Sequence, residues 1–390
     1  MAVLPVRLRS ESYERGFRVI DPNAWFHDEL IFSDSAPGAP GSTLHFTSNL
    51  WRIPISSSTL RVSGKPRQLT FGTGLNHSAR VSADGQVVFS NGVRTSNIWS
   101  LPIETSQGKV TGGLRRLTQG TAHHTEPCLS PDGQKMLYVA GPYGRGRVVL
   151  KDIAGGKETL LAAPGFLGGS PAYSPDGSRI AVWSEDGERR PIYIVPVGGG
   201  AEKVCEHCGL APAWSSDGAR ILYDWGVPRY VGLLEVSTGK TVHILKHPTS
   251  ALVQARFSPD DRWISFVEMA AASGRTRLMV VPFRGAAIPE SQWVTVTDGS
   301  ATDMRPRWSP DGNLLYYHSN RDGFRCLWAQ RLDPVTKRPA GSPFSVYHFH
   351  SARLALTTLN QGISVGRDKI VMSLQELTGN IWTFKLPEEE

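Results

Sequence analysis

One short pattern, Ser-x-Asp-Gly, recurs along the chain and constrains its fold more than any other feature. Its aspartates stand at positions 84, 132, 176, 217, 260 and 311, so that successive copies are 48, 44, 41, 43 and 51 residues apart. Asp can bond to its own backbone, and Gly accepts the positive φ that closes a hairpin. A period of this length is typical of folds in which each repeat is one small sheet. The copies are Ser82 to Gly85, Ser130 to Gly133, Ser174 to Gly177, Ser215 to Gly218, Ser258 to Asp261 and Ser309 to Gly312.

The residues around each turn follow one order of apolar segments. After the turn at Ser309 come an apolar strand at 314–317, the hairpin signal Asp322-Gly323 and a third strand at 326–332. The third strand also recurs outside the six turns, at 49–53 and 380–382, which adds one unit at each end. The sequence therefore predicts an all-β fold, a single β-propeller of about eight four-stranded blades, with seven as the alternative count.

The two ends of the chain predict how the ring closes. The last unit lacks a fourth strand, whereas a strand at 3–9 precedes the first unit. A strand that completes a blade from the other end removes open sheet edges, so we expect 3–9 to close the last blade of a single domain over 1–390. The expected blades are 22–70, 75–118, 123–162, 168–206, 209–246, 252–297, 303–348 and 358–386.

Candidate ligand-binding residues lie in or just before the first strands. The residue two positions before the turn Ser alternates with a large apolar residue, and three of these positions are Arg. We expect them at the channel or funnel, the alternative being arginine stems packed between blades with their heads in solvent. Two His lie just before the first strand of the third repeat, where they could contact a ligand or could be merely solvated. The candidates are Arg80, Arg256, Arg305, Arg307, His123 and His124.

Catalytic and metal-binding patterns are absent or incomplete. Gly362 to Gly366 reads Gly-x-Ser-x-Gly, but no His follows His350, and we interpret Ser364 as the turn Ser of the last unit. Cys205 and Cys208 could be half a zinc site or a redox pair, but no second paired motif is present. We expect a tight turn there, or a disulfide in an exported protein. The sequence thus predicts no catalytic residue, no metal and no cofactor.

The charge and hydropathy of the chain limit its partners. The formal charge is +7, but the 42 basic residues contain no run of five or more, so we expect no nucleic acid. No apolar window is long enough to span a membrane, and residues 1–18 have no apolar stretch typical of a secretory signal. We therefore expect a cytoplasmic monomer from these residues alone.

The repeated unit resembles the WD-like repeat of TolB-type propellers. The stretches 204–208, 288–293 and 321–328 also resemble the carboxy-terminal propeller regions of acidobacterial serine/threonine protein kinases and related signalling proteins. This resemblance implies a sensory or interaction module, extracytoplasmic where it belongs to a longer membrane-anchored protein; kinase motifs are absent. We predict a non-catalytic scaffold that binds a protein partner or small ligand. The alternative is a hydrolase or lyase with a site in the central channel.

Overall fold

The computed structural model describes residues 21–34, 48–72, 74–120, 123–141, 146–161, 169–184, 189–271, 273–351, 353–356 and 362–386. Within these ranges the fold is all-β, and its one helix is a single 3₁₀ turn at Glu290–Gln292. None of the described helical residues forms a segment long and apolar enough to cross a membrane. The chain divides into two compact units, a smaller one within 1–94 and 376–390 and a larger one within 95–375.

The strands are numbered in chain order. The first sheet has the order β1-β2-β3-β4, namely β1 (Asp21–Phe26), β2 (Glu29–Asp34), β3 (Asn49–Pro54) and β4 (Arg67–Gln68). The next strands are β5 (Leu75–Val81), β6 (Gln86–Glu104), β7 (Lys109–Val110) and β8 (Arg115–Arg116). The following sheet has the order β12-β11-β10-β9, with β9 (His124–Leu129), β10 (Lys135–Ala140), β11 (Arg147–Asp152) and β12 (Glu158–Leu160).

Four further sheets each run in chain order. They contain β13 (Gly169–Tyr173), β14 (Arg179–Trp183), β15 (Ile192–Pro196) and β16 (Glu202–Cys205); β17 (Leu210–Trp214), β18 (Arg220–Trp225), β19 (Tyr230–Glu235) and β20 (Thr241–Leu245); β21 (Ala251–Phe257), β22 (Trp263–Met269), β23 (Thr276–Pro282) and β24 (Val294–Thr295); β25 (Met304–Trp308), β26 (Leu314–Ser319), β27 (Cys326–Arg331) and β28 (Phe344–Tyr347). The chain ends with β29 (Leu354–Ala355), β30 (Ile363–Val365) and β31 (Lys369–Lys385).

Two long strands replace the hairpins expected within the second and last repeats. In the larger unit, β31 pairs with β30, and the backbone of Ile103 in β6 donates to the carbonyl of Asp368 just before β31. In the smaller unit, the first part of β6 pairs with β5, and the side chain of Gln86 bonds to Thr383 in the second part of β31. Each repeat therefore passes its third strand to the other repeat. The simple order of strand, turn and strand holds for the remaining repeats.

The six sheets of the larger unit pack through six apolar clusters. Each cluster lies between two consecutive sheets, and the sixth lies between β31 and the sheet of β9 to β12. In the second strand of a repeat, adjacent residues pack into different clusters, because successive side chains of a strand point to opposite faces of the sheet. One residue from each side of the six clusters gives the pairs Leu137 and Ile180, Trp183 and Tyr223, Leu222 and Phe266, Val267 and Tyr317, Leu327 and Met372, and Val371 and Met136.

The Ser-x-Asp-Gly turns form as the sequence predicts. In one copy, the Ser174 hydroxyl donates to Asp176 at 2.5 Å and accepts the backbone N–H of Arg179 at 2.9 Å. Gly177 has a φ of +72°, which only Gly adopts without strain. The same Ser to Asp bond occurs in the other five copies. These bonds fix where each first strand ends and each second strand begins.

The first strands share a β-bulge that the sequence analysis did not predict. Four residues before each turn Ser, a residue other than Gly has a positive φ of 47° to 62°, and the register with the second strand shifts at that point. A bulge bends its strand and re-aims side chains. The bulge residues are Ser78, Glu126, Ser170, Ala211, Gln254 and Arg305.

The all-β class and the four-stranded antiparallel sheets are confirmed. The blade count of eight and the closure of the ring stay predictions, and the strand at 3–9 lies outside the described residues.

Candidate functional site

A cavity of about 640 Å³ lies within the larger unit. Its walls come from six strands, β9, β13, β17, β21, β25 and β30, and from the turns that follow them. Each of these strands contacts the next, and β30 contacts β9 again. We call this cavity the inner pocket. Every sheet of the larger unit contributes to it.

An ion pair joins two strands at the inner pocket. The Arg305 guanidinium donates to both carboxylate oxygens of Glu126, at 3.0 and 3.2 Å. The side chains of Arg305 and Glu126 are only 14% and 8% exposed, so water screens the pair weakly. Two parallel bonds to a carboxylate are the geometry that Arg favours. The pair therefore neutralises the one carboxylate on the inner strands of the pocket.

Two hydrogen bonds from backbone N–H groups to side-chain oxygens connect this ion pair to the core. The backbone N–H of Arg305 donates to Oε1 of Gln254, and the N–H of Gln254 donates to Oδ2 of Asp224, both at 2.7 Å. Burial raises the pKa of Asp224 to about 6, against the lowering effect of the Gln254 bond and the Arg256 charge. A bulge residue is thus bonded to a neighbouring bulge residue or to a buried carboxylate. This holds the strained strands in place.

Two more arginines line the pocket two residues before their turns. Nη1 of Arg256 donates to the carbonyls of Ala211 and Ala255, at 3.0 and 2.7 Å. Arg307 donates from Nε to the carbonyl of Ile363 and from Nη1 to that of Pro306, each at 2.8 Å. No described residue accepts a bond from Nη2 of either side chain.

The electrostatics of the arginines favour an anion. Burial, with the positive charges of Arg256 and Arg305, lowers the pKa of Arg307 well below its usual value. An arginine retains its proton at neutral pH even so. Three guanidinium groups therefore face two carboxylates, Glu126 and Asp224, which leaves an excess positive charge beside the pocket. An anion here would relieve the repulsion among the three arginines.

The carboxylates at the rim of the pocket are already engaged. Asp132 accepts bonds from Ser130 and Gln134, and Asp261 accepts bonds from the backbone and hydroxyl of Ser216. Asp368 lies 3.4 Å from the Lys369 ammonium. Hydrogen bonds from neutral donors leave a carboxylate charged, so these aspartates keep the rim negative and the positive excess is confined to the inner end of the pocket, beside the arginines.

The structure brings three of the six predicted site residues together, namely Arg256, Arg305 and Arg307. His124 is buried, bonds to Asn97 at 3.2 Å and packs edge-on against Tyr138, so the solvated alternative is wrong for it. Burial lowers its pKa. His123 forms a bridge with Ser96 and does not line the pocket. Arg80 lies in the smaller unit, where its Nη1 donates to the Ala79 carbonyl at 2.8 Å.

Ser364 does not occupy the turn position that the sequence analysis gave it. Its strand β30 pairs Val365 with Ile370, so that Gly366 takes the place of the turn Ser and Ser364 lies two residues before it. The Ser364 hydroxyl accepts the backbone N–H of Leu129 at 3.1 Å. No helix follows the strand, so the nucleophile elbow is not formed.

The four cysteines have three different environments. Cys205 and Cys208 form a disulfide, which is one of the alternatives left open by their spacing. Cys326 is fully buried, whereas Cys128 is half-buried and lines the pocket at the strand position that Arg256 and Arg307 occupy in theirs. Burial raises the pKa of the Cys128 thiol, so it is not a ready nucleophile.

Comparisons with known proteins agree with this architecture. Residues 111–226 match the TolB beta propeller domain. A putative TolB from Agrobacterium tumefaciens superposes with a TM-score of 0.56 at 19% identity, over 75% of this chain and 99% of that one. TolB from Acinetobacter baumannii gives 0.51 at 12% identity, over 90% and 82%. No curated protein sequence matches the chain. At these identities the likeness shows a TolB-type fold only, and any statement about function has to be argued from the pocket.

Sequence reasoning missed Gln254 and Asp224. Gln254 had a usable signal, because it stands four residues before a turn Ser, as Glu126 and Arg305 do. Asp224 had none, since its burial depends on the packing of β18 beside β21.

Proposed function

We propose that the larger unit is a six-bladed TolB-type propeller that binds the anionic group of a protein partner or small ligand in the inner pocket, without catalysis. One observation carries this proposal: Arg256 and Arg307 line the inner end of the pocket close to Arg305, and Nη2 of Arg256 and of Arg307 has no acceptor among the described residues. Charge-assisted bonds from Arg to a carboxylate or phosphate are among the strongest that a binding site can offer.

The chemistry of the pocket argues for binding over catalysis. A general acid or base needs a carboxyl or imidazole that is available to a substrate. Both carboxylate oxygens of Glu126 accept bonds from Nη1 and Nη2 of Arg305. Burial raises the pKa of the Cys128 thiol. Neither group therefore favours the hydrolase or lyase alternative.

The disulfide and the resemblance to signalling proteins both support a proposal for the cellular setting. A disulfide between Cys205 and Cys208 persists in an oxidising compartment, which supports an extracytoplasmic location. In that location the propeller would serve as the sensory or interaction module of a longer bacterial signalling protein, as its likeness to kinase-associated propellers implies. An acidic peptide segment of a partner is the ligand that fits this role best.

Thermal melting with defined probes tests the proposal. A hexapeptide of aspartate should raise the midpoint of the chain, whereas a hexapeptide of lysine should not, because a ligand that binds only the native state stabilises it. Arg307→Gln should weaken the binding of the aspartate peptide about 10- to 150-fold, the effect of losing one charge-assisted bond of about 1.5–3 kcal/mol. Arg338→Gln, which removes an exposed arginine outside the pocket, is the matched control and should bind as the parent does.

Two outcomes would overturn the proposal. The first is equal stabilisation by the acidic and basic peptides, and the second is unchanged binding of the acidic peptide by a double Arg256→Gln and Arg307→Gln variant. A cooperative melt of each variant without peptide establishes that it is folded before binding is compared.

A further inference from the structure

Four metal-ligating side chains converge at one end of the sheet formed by β25 to β28. Asp322 lies in the turn between β26 and β27, Cys326 is the first residue of β27, and His348 and His350 follow β28 directly. Their ligand atoms all lie within 4.8 Å of one another. Two stretches of chain, 322–326 and 348–350, therefore supply one carboxylate, one thiol and two imidazoles to the same point. The inner pocket uses none of them.

The distances within this cluster suit a small cation. Oδ2 of Asp322 lies 2.8 Å from Nδ1 of His348 and 2.9 Å from Nε2 of His350, and these two nitrogens are 3.2 Å apart. Four-coordinate zinc has bonds of about 2.0–2.3 Å, which place its ligand atoms roughly 3.3–3.8 Å from one another. The two imidazoles need to move outward by only about half an ångström to reach that spacing. They are 46% and 43% exposed and can do so.

The surroundings hold the four ligands in position. The Cys326 sulfur accepts the backbone N–H of Phe349, the residue between the two His, at 3.2 Å. Trp328 packs edge-on against the ring of His348, and Phe324 lies 4.6 Å from that of His350. Neighbours of this kind orient metal ligands in established sites.

The burial of Cys326 favours a metal site over a site in which its thiol is a nucleophile. Cys326 is 0% exposed, so a substrate cannot reach its sulfur. A metal ion entering between the exposed imidazoles could reach it, because the sulfur lies at the inner side of the cluster. A thiol with two imidazoles and one carboxylate is a donor set that favours zinc over magnesium or calcium.

We propose that Asp322, Cys326, His348 and His350 bind one zinc ion. Four protein ligands complete a tetrahedral shell, which is the arrangement of structural sites. The ion would tie the turn after β26 to the chain that leaves β28, and so fix the end of this blade. The proposal does not depend on ligand binding at the inner pocket.

Titration of the untagged, metal-free chain with zinc against a chromophoric chelator tests the site. We expect one equivalent of zinc to bind and to raise the melting midpoint. His350→Ala should weaken zinc binding more than 10-fold, since even residues behind the ligands contribute that much in known sites. His243→Ala, which removes an exposed histidine elsewhere on the larger unit, is the matched control and should bind as the parent does.

Cobalt(II) gives a second measurement, which reports whether the thiol is a ligand. The parent should show a thiolate-to-metal absorption band in the near ultraviolet, and Cys326→Ser should lose it. The assay is run without a thiol reductant, so that Cys205 and Cys208 stay bonded to each other. A chain that binds no stoichiometric zinc, or wild-type affinity in both Cys326→Ser and His350→Ala, overturns the proposal.

Discussion

At the scale of single residues, the inner pocket depends on two positions of the repeat. The position four before the turn Ser supplies Glu126, Gln254 and Arg305, and the position two before it supplies Arg256 and Arg307. The three arginines at the second position share one bond, in which Nη1 donates to the carbonyl of the preceding residue. This bond holds the guanidinium in place before any ligand arrives, which lowers the entropy that binding would cost.

Asp224 makes a prediction about pH at this scale. Its pKa in the folded chain, about 6, lies above the ordinary 3.8, so the native state binds this proton more tightly than the unfolded state. The stabilisation is complete below pH 3.8 and is lost as the pH rises through 6. Asp224→Asn keeps an oxygen for the Gln254 N–H but does not titrate. Between pH 4 and 7.5 the parent should therefore lose about 2 kcal/mol of unfolding free energy relative to the variant.

Urea unfolding of both proteins at the two pH values measures this difference. Curves that change in parallel for the parent and Asp224→Asn would show that Asp224 does not carry the pH dependence assigned to it.

At the scale of the strand and turn, the sequence predicted the features that depend on hydrogen bonds between nearby residues. The turns formed because Ser, Asp and Gly supply a donor, an acceptor and a positive φ within four residues. The exchange of third strands between the second and last repeats could not be predicted in this way. Residues 86–104 have the same alternation whether they turn back or run on, and the choice depends on β31, about 280 residues later.

The bulge gives a prediction for one strand. Ala211 has a φ of 56°, where a side chain costs about 1–2 kcal/mol relative to Gly. Ala211→Gly should therefore raise the unfolding free energy by about 0.5 kcal/mol after the entropy that Gly loses on folding. Ala213→Gly, two residues later without a positive φ, should lower it by about 1 kcal/mol. Urea unfolding of the pair measures both, and a loss of stability in Ala211→Gly as large as in Ala213→Gly would contradict the role of the bulge.

At the scale of the whole molecule, the repeat predicted the fold class but only part of the site. Arg256, Arg305 and Arg307 could be chosen from their register before the turns, since alternation places one face of each strand toward the cavity. Their bonding partners could not be predicted, because Arg305 pairs with Glu126, which lies 179 residues away in the sequence. The zinc ligands were missed for the same reason: Asp322 and Cys326 meet His348 and His350 only after β28 has paired with β27.

Cys128 offers a direct test of whether an anionic ligand occupies the inner pocket. This thiol lines the pocket, while Cys326 is buried and Cys205 and Cys208 are bonded to each other. The rate at which methyl methanethiosulfonate modifies Cys128 is measured with and without saturating aspartate hexapeptide. We expect at least a tenfold slower reaction with the peptide, and little protection in Arg307→Gln at a peptide concentration that only just saturates the parent. An unchanged rate in the parent, with the peptide bound, would show that the ligand binds outside the inner pocket.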